Sequence, residues 1–523
     1  MSGPVDAPAL IQGGRVVVLP PLPPERQAYA LARYSRSADP IEASLTWVHA
    51  HSAERFWEKF YFDYGHASIA DLGHLAICLE GLSDLAAAEV LHDGLIDAQA
   101  RSTRYQDFSR VPLVCPAEDP AIREAVRAAG ERLRAAYLEV FEAERAALEQ
   151  QHPRPEGMPP DVYGRNLAAR AFDVARYLLP VAASTGVGLV LSVRTLERLI
   201  GRLAASSLVE CRQLAEALAK ACREAPDGTW SRLTGEAMSA EPLAPTLARH
   251  AHPHAWAARV RERAAARATA DAEALDRALD ACVAPSVPRS LPGDAEAWRE
   301  HGLAVAAGAA GEIDLLPPHE ADEEALASLL YAAVPGRSYR QVLAWARAQG
   351  PVRRSNLLSE LLEGRGGHDD WPRELRVGHR YVAELTLDWG SFRDMHRHRR
   401  GEHLVPPLDL DAGACLPVHV ADPDNIGRIR RAAAHAAEEA RAIDRMDPGM
   451  GVYALPFAQR TRTLFRMDWA QAQYIVQLRT GLKGHDAYRA VSHALGVAIA
   501  AAEPGLAGFM RWTDPAEREP LVR

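Results

Sequence analysis

Two distant stretches of this chain read as diverged versions of one another, and that duplication limits the possible fold more than any single motif does. Leu179-Pro180 is followed by a turn containing threonine and then a long segment of apolar periodicity. Leu455-Pro456, Thr461 and the run to Arg479 repeat the arrangement. Upstream, the strand-like Tyr381 to Trp389 leads into a helix-like run ending in Arg397-His398-Arg399-Arg400-Gly401, as His74 to Leu82 leads into Ser83 to Gly94. The copies differ in length: 88 positions separate His92 from Pro180, but only 58 separate His398 from Pro456.

A chain of 523 residues exceeds one ordinary core and suits two domains of roughly 200 residues with a connector. The expected boundaries are 25–235 for the first copy, 236–300 for a helical connector rich in Ala and Arg, and 301–523 for the second copy. With 48% hydrophobic and 25% charged residues the composition is that of soluble globular proteins. A net charge of −9 argues against a general nucleic-acid or anionic-membrane surface, so clusters of arginine must act by local geometry. Cys78, Cys115, Cys211, Cys222, Cys282 and Cys415 form no C-x-x-C pair, which suggests neither a zinc site nor a redox dithiol. They read as small buried apolar residues or free thiols in a reducing compartment. The N-terminus lacks a signal pattern and no apolar run reaches about 18 residues, so the expected location is the cytoplasm.

The spacing of Ile122, Val126, Leu133, Tyr137, Val140, Phe141 and Leu148 predicts a helix over Pro120 to Gln151, and residues 192 to 224 show the same period. Ser83 reads as one N-cap, and Ser391 followed by Asp394 as a capping box. Gly94 and Gly401 read as left-handed C-caps, which places Arg397, His398 and Arg399 in a last helical turn. Basic residues there also suit the helix macrodipole without any ligand. The His250-Ala-His252-Pro-His254 tract reads as a helix end or turn before a metal site.

These motifs resemble the flavin-dependent thymidylate synthases, whose signature is Arg-His-Arg followed about seven residues later by Ser-x-Arg-Tyr. The second copy carries Arg397-His398-Arg399, with Pro407 where the serine would fall. The first copy has Ser102-Thr-Arg104-Tyr105, with His92-Asp93-Gly94 or Leu91-His92-Asp93 in place of the tripeptide. Ala32-Arg33-Tyr34-Ser35 is similar to the family's Ala-Arg-x-Ser, and Gly65-His66-Ala67-Ser68-Ile69-Ala70-Asp71 to its Gly-His-x-Ser-x-x-Glu. The likeness covers most of residues 25 to 225.

The resemblance implies an α+β fold: two diverged family domains, each a small mixed or antiparallel sheet packed with long helices, joined as a pseudo-dimer. It implies reductive methylation of dUMP to dTMP with FAD, NADPH and methylenetetrahydrofolate. It assigns flavin binding to Ser35, His66, Arg397, His398, Arg399, Asp468 and Gln473. Nucleotide binding falls to Ser102, Arg104, Tyr105, Arg176 and Arg397, and polarisation of the uracil to Arg479, 23 residues after Pro456. Counting the same distance from Pro180 reaches Leu203, and the counterpart of Arg176 is Val452. Each half thus lacks what the other holds, as expected of one surviving composite site.

The sequence departs from the pattern at the serine-preceding glutamate, where Gln99-Ala100-Arg101 stands, and at a flavin-holding asparagine, replaced by Ser192 and Asp468. Two other readings stay open: a descendant that binds a nucleotide or a partner without catalysis, and a hydrolase with a metal on His396, His398 and His403. The second lacks H-E-x-x-H spacing, and no resident metal is expected. Trp371 and Trp389 read as core residues, and His485, Tyr488 and Arg489 as a pocket rim. Self-association of the chain into a dimer is the expected assembly.

Overall fold

The computed structural model describes residues 17–523 apart from 64–66, 104–105, 281–312, 317–320, 365–371, 373, 375–380, 400, 418, 468, 503–509, 515–516, 518, 520 and 522–523. The chain packs into two units. One comprises Met1–Ala76, Val190–Gly201 and Ala215–His252, the other Ile77–Leu189, Arg202–Leu214 and Pro253–Arg523.

In the first unit, helices Pro24–Tyr34, Ile41–Ala50 and Ala53–Trp57 gather around aromatic contacts: Tyr29 stacks on Phe56 at 4.0 Å and Arg33 lies 4.3 Å over Trp47. Glu25 takes the first N–H groups of helix Pro245–His250, accepting from Thr246 and Leu247 at 2.8 and 2.9 Å. Burial raises its carboxyl above the usual range.

Along the chain one series of elements runs β1 (His74–Ser83), α1 (Asp84–Val90), β2 (Asp97–Ala100), α2 (Pro120–Gln151), α3 (Pro160–Ala175), a 3₁₀ turn (Arg176–Leu178), β3 (Ser184–Ser192), α4 (Val193–Ala204) and α5 (Val209–Ala221). Helices Ala255–Ala270, Ala272–Asp280, Ala321–Ala333, Tyr339–Ala348 and Gly350–Leu361 follow, with β4 (Ile313–Leu316) among them. A second series then runs β5 (Tyr381–Asp388), α6 (Trp389–Met395), β6 (Glu402–Leu404), α7 (Asp424–Met446), a 3₁₀ turn (Gly451–Ala454), β7 (Arg460–Met467), α8 (Trp469–Arg479) and α9 (Asp486–Ala502). The sheets follow the same order: β1-β3-β2 in the first series and β5-β7-β6 in the second, with β4 added at the outer edge of β5. α3 has no counterpart, since α7 ends at Met446 and the next turn opens at Gly451. α7 is also shorter than α2, 23 residues against 32, which together explain the shortened interval in the sequence.

The helix expected over Pro120–Gln151 forms with those bounds, capped by Asp119, whose side chain accepts from Ala121 N at 2.8 Å. The single helix expected over 192–224 is a correction. β3 runs to Ser192, and the helical stretch is cut into α4 and α5 around Ser206, whose Oγ accepts from Leu208 N at 3.2 Å. A serine that satisfies the backbone locally competes with helix continuation. Of the 236–300 stretch, residues 236–280 are described, and they hold helices Pro245–His250, Ala255–Ala270 and Ala272–Asp280 separated by irregular chain.

All eight residues of β5 are buried. Tyr381, Ala383, Leu385 and Leu387 face the large core made with α2, α7 and both 3₁₀ turns, while Val382 joins a second core with Trp256, Leu330, Tyr339 and Trp345. A strand covered on both faces therefore shows no polar alternation. β5 and β7 pair antiparallel from Tyr381↔Met467 to Asp388↔Arg460. Glu144 of α2 accepts from Ala421 N, Asp422 N and Asn425 Nδ2, so it satisfies donors at the start of α7.

The two Leu-Pro segments meet. Pro180 and Pro456 form an antiparallel bridge, and because neither proline has an N–H the bonds fall on their neighbours. Val181 N donates to Leu455 O at 2.9 Å, and Phe457 N to Leu179 O at 2.7 Å.

Candidate functional site

Asp394, near the end of α6, gathers side chains from both series. Arg176 reaches its Oδ2 with Nη1 at 3.3 Å and Nη2 at 3.4 Å, Arg397 lies 4.0 Å from its Oδ1, and Arg479 Nη2 donates to its main-chain oxygen at 2.5 Å. Burial alone would raise the Asp394 carboxyl, but the guanidiniums of Arg176, Arg397, Arg479 and Arg393 lower it to about 2. Arg479 Nε also donates to His398 Nε2 at 2.7 Å. Burial, with Arg479 beside it, drives the His398 imidazole down to about 3.

Arg176 is 4% exposed and packs closely over Gly390, where a Cβ would stand 2.8 Å from Arg176 Nη2. Burial pulls this guanidinium down, and Asp394 and Asp388 more than offset it, so the net direction is up.

A second contact between the series lies beside the first. Arg393 Nε donates to Asp84 Oδ2 at 2.7 Å and Trp389 Nε1 to Asp84 Oδ1 at 2.9 Å. Burial nevertheless leaves the Asp84 carboxyl above its ordinary value. Arg399 Nη1 donates to Ala98 O at 3.1 Å, and His92 meets His396 edge-on at 4.7 Å. Asp84, Leu91, Gln99, Arg393, Arg397 and Arg399 line a cavity of about 110 Å³.

The helix ends differ from expectation. α6 stops at Met395 with His396 as its cap, so Arg397, His398 and Arg399 lie beyond the helix, not in its last turn. Its N-cap is Asp388, which accepts from Ser391 N at 2.8 Å; the capping box read at Ser391 and Asp394 is corrected, because β5 runs straight into the helix. Ser83 does cap α1, accepting from Ala86 N. Gly94 and Gly401 are not among the glycines with positive φ. They serve close approach instead: a Cβ on Gly94 would lie 2.8 Å from Arg399 O, and one on Gly401 2.9 Å from Arg466 O.

Arg176, Arg397, His398 and Arg479 are thus brought together, with Arg399 adjoining. Ser102 is half-buried and its carbonyl accepts from Gln106 Nε2 at 3.1 Å. Gln473 bonds Gln477 along α8 at 2.7 Å. Ser35 lies in the other unit, where its hydroxyl donates to Ala32 O. Arg104, Tyr105, His66 and Asp468 lie outside the described residues, as do Trp371 and Cys282. Trp389 is buried in the core; His485, Tyr488 and Arg489 are buried too. His485 and Arg489 border a separate cavity of about 330 Å³ with Tyr177, Arg170 and His419. Among the described residues no group of three His, Cys, Asp or Glu side chains could hold a metal, and no helix is long and apolar enough to cross a membrane.

Asp84, Arg393 and the central place of Asp394 were not read from the sequence. The charge alternation Arg393-Asp394 inside an arginine-rich run was the available signal. In direct contact, Arg176, Arg393, Arg397 and Arg479 outnumber Asp84 and Asp394. Such an excess of forked donors in a half-buried setting is suited to a phosphate or another planar anion.

Residues 19–226 match the family model described as thymidylate synthase complementing protein. That segment is about two fifths of the chain. Over nearly the full chain, a UPF0159 protein of Chlamydia muridarum is 24% identical across 486 residues, covering 89% of this chain and 82% of its own length. A UPF0159 protein of Thermoplasma acidophilum is 24% identical across 525 residues, covering 92% and 94%. Among solved structures, thymidylate synthase X of Helicobacter pylori with FAD and dUMP is similar at 18% identity, over 38% of this chain and 88% of that one, with a TM-score of 0.26. The family match spans β1 to β3 and α4 and so includes Arg176, while Arg397 and Arg479 lie outside it.

Proposed function

We propose that the chain is a tandem pair of thymidylate synthase complementing protein domains whose arginine cluster binds dUMP and FAD and methylates the uracil reductively. Methylenetetrahydrofolate would supply the one-carbon unit and NADPH the reducing equivalents, with dTMP as product. The observation that carries this reading is the meeting of Arg176 with Arg397 and Arg479 on one residue, Asp394, from two series of elements that match in order. The bridge between Pro180 and Pro456 supports a pseudo-dimer, since equivalent segments pair across it.

The residues fit the phosphate-bearing part of a flavin or nucleotide. Arg397 is 43% exposed and reaches Asp394 only at 4.0 Å, so its guanidinium can turn to a ligand. The adjoining cavity of about 110 Å³ takes a phosphoryl group. It is well below the roughly 300 Å³ or more that encloses a whole ligand, so the remainder of the ligand would lie over open surface. Arg397, His398 and Arg399 would hold FAD, with Ser35, His66, Asp468 and Gln473 proposed alongside. Ser102, Arg104, Tyr105 and Arg176 would hold the nucleotide. A bound flavin supplies the hydride chemistry. Arg479, preorganised by His398 and the Asp394 carbonyl, would stabilise charge on the uracil oxygen.

The test is purification followed by a visible spectrum, then tritium release from C5-labelled dUMP with NADPH and methylenetetrahydrofolate. Yellow protein that releases tritium supports the reading; colourless protein that takes up no FAD refutes the flavin part. A second reading, nucleotide binding without catalysis, is favoured by one observation: Arg479 is already committed to His398 and Asp394. It predicts dUMP binding with no release. Action in the cytoplasm and self-association of the chain belong to the same proposal.

A further inference from the structure

Arg479 is the last residue of α8, and a helix end is where main-chain oxygens run out of intrahelical partners. Outward the final turn has little to lean on: Gln477 and Leu478 are exposed, whereas Val476 and Thr480 are buried on the inner side. Thr480 closes the helix. Its N–H and its hydroxyl both donate to Val476 O, at 3.2 and 2.8 Å. A residue that must hold a guanidinium against a reacting ring cannot stand on a fraying turn, because about 1 Å of misplacement costs on the order of 100-fold in rate.

Segment 510–521 is tied to that same residue. Thr513 N donates to Thr480 Oγ1 at 2.9 Å. Arg489 of α9, 2% exposed, donates Nε to Thr480 O at 3.0 Å and Nη2 to Asp514 O and Glu517 O, both at 3.1 Å, with its Nη1 3.7 Å from Asp486 Oδ1. One planar fork thus joins the carbonyl next to Arg479 to two carbonyls of the segment, which the point charge of a lysine does not reproduce. The segment is itself anchored: Trp512 lies against Gly496 of α9, where a Cβ would stand 3.1 Å from its Cε3, and meets His493 edge-on at 5.4 Å. Farther on, Asn166 Nδ2 donates to Leu521 O at 2.6 Å and Arg170 Nη2 to Glu519 O at 2.8 Å. Covering the core needs only apolar contact of the kind Met510 makes. Hydrogen bonds to both the hydroxyl and the carbonyl of Thr480 do more, since they fix the end of α8 against α9.

We infer that Thr480 and Arg489 are positioning residues that act through Arg479, and that segment 510–521 is their support: together they hold the end of α8 so that Arg479 keeps its bonds to His398 Nε2 and Asp394 O. This rests on the reading of Arg479 as the group that polarises the uracil. The experiment uses the full chain. Thr480→Val keeps the shape and removes the hydroxyl; it should lower kcat for tritium release from C5-labelled dUMP about 10- to 100-fold, while KM for dUMP stays within about threefold. Thr480→Ser, which restores the hydroxyl, should bring kcat back to within about threefold of the wild type. A second readout needs no turnover: imidazole NMR of the histidine-labelled chain, with the His398 signal assigned by its loss in His398→Gln. His398 faces Arg479, Arg397, Asp394 and Tyr474. When Arg479 slips, the imidazole loses a neighbouring cation and should titrate at a higher pH in Thr480→Val than in the wild type. If Thr480→Val does not fold, Arg489→Lys takes its place and is read in the same two ways. Wild-type kcat with an unmoved His398 titration in a folded variant would overturn the inference. No tritium release by the unaltered chain would remove the catalytic reading alone, and the His398 titration would then decide whether Thr480 and Arg489 hold Arg479 in place.

Discussion

Arg479 Nε donates to His398 Nε2 across 2.7 Å, which makes the histidine an acceptor and so holds it neutral with its proton on Nδ1. The folded value of about 3, against an ordinary 6.5, means that the folded chain binds fewer protons here than the unfolded chain between those limits. The stabilisation is therefore fully present above pH 6.5 and is lost as the pH falls toward 3. His485, held to about 4 by burial and Arg176, adds a loss of the same sign. Urea unfolding at pH 7 and pH 5 should show His398→Gln, which keeps an acceptor, losing about 1 to 2 kcal/mol less than the wild type on acidification. Equal losses in both proteins would mean that the histidine is not buried neutral.

Asp394 works with the opposite charge but the same pH sign. Its folded value near 2 lies below the unfolded value of 3.8, so its contribution is complete above about pH 4 and disappears as the pH drops through 2. Asp394→Asn should cost at least about 2 kcal/mol at pH 7. The cost should vanish in acid, where the wild-type carboxyl is itself protonated. Thermal unfolding at pH 7 and near pH 1.5 would check this, and a deficit independent of pH would point to packing instead.

Arg176 offers the sharpest distinction between an ion pair retained for stability and one retained for binding. It is 4% exposed, and its removal leaves Asp394 short of its nearest partner. Arg176→Ala should destabilise by about 3 to 5 kcal/mol, the usual result of removing one partner of a buried pair. The double variant Arg176→Met, Asp394→Leu should regain much of that stability, because burying two charges is itself costly. If the double variant is as unstable as the single one, the pair is a net stabiliser. If it recovers stability while dUMP binding stays weak, the pair serves the ligand.

The elements that form through local periodicity were legible in the sequence: α2 keeps its expected ends, and the two Leu-Pro segments singled out there meet at the Pro180–Pro456 bridge. The position of the Arg-His-Arg turn was not, because Gly94 and Gly401 looked like helix caps. Their lack of a side chain instead admits a neighbouring backbone, a requirement set by residues far along the chain. Asp84 with Arg393 was hidden for the same reason: each half of the pair is an unremarkable charge until the two series meet.

That close approach gives a direct test of whether the two series must touch for binding. A Cβ at position 94 would lie 2.8 Å from Arg399 O, a main-chain atom that cannot rotate away as a side chain would. Gly94→Ala must therefore push the 92–94 turn and the 397–399 turn apart. The expected cost is about 1 to 3 kcal/mol of strain, small enough for a folded protein with unchanged far-ultraviolet circular dichroism. Separation would also lengthen the bond from Arg399 to Ala98 O and widen the cavity between Asp84 and Arg397. FAD uptake, followed by quenching of flavin fluorescence, should weaken about tenfold, while Gly164→Ala, whose Cβ would meet nothing within 4 Å, should leave it unchanged. Equal uptake by Gly94→Ala and the wild type would show that this contact between the turns is not part of the binding surface.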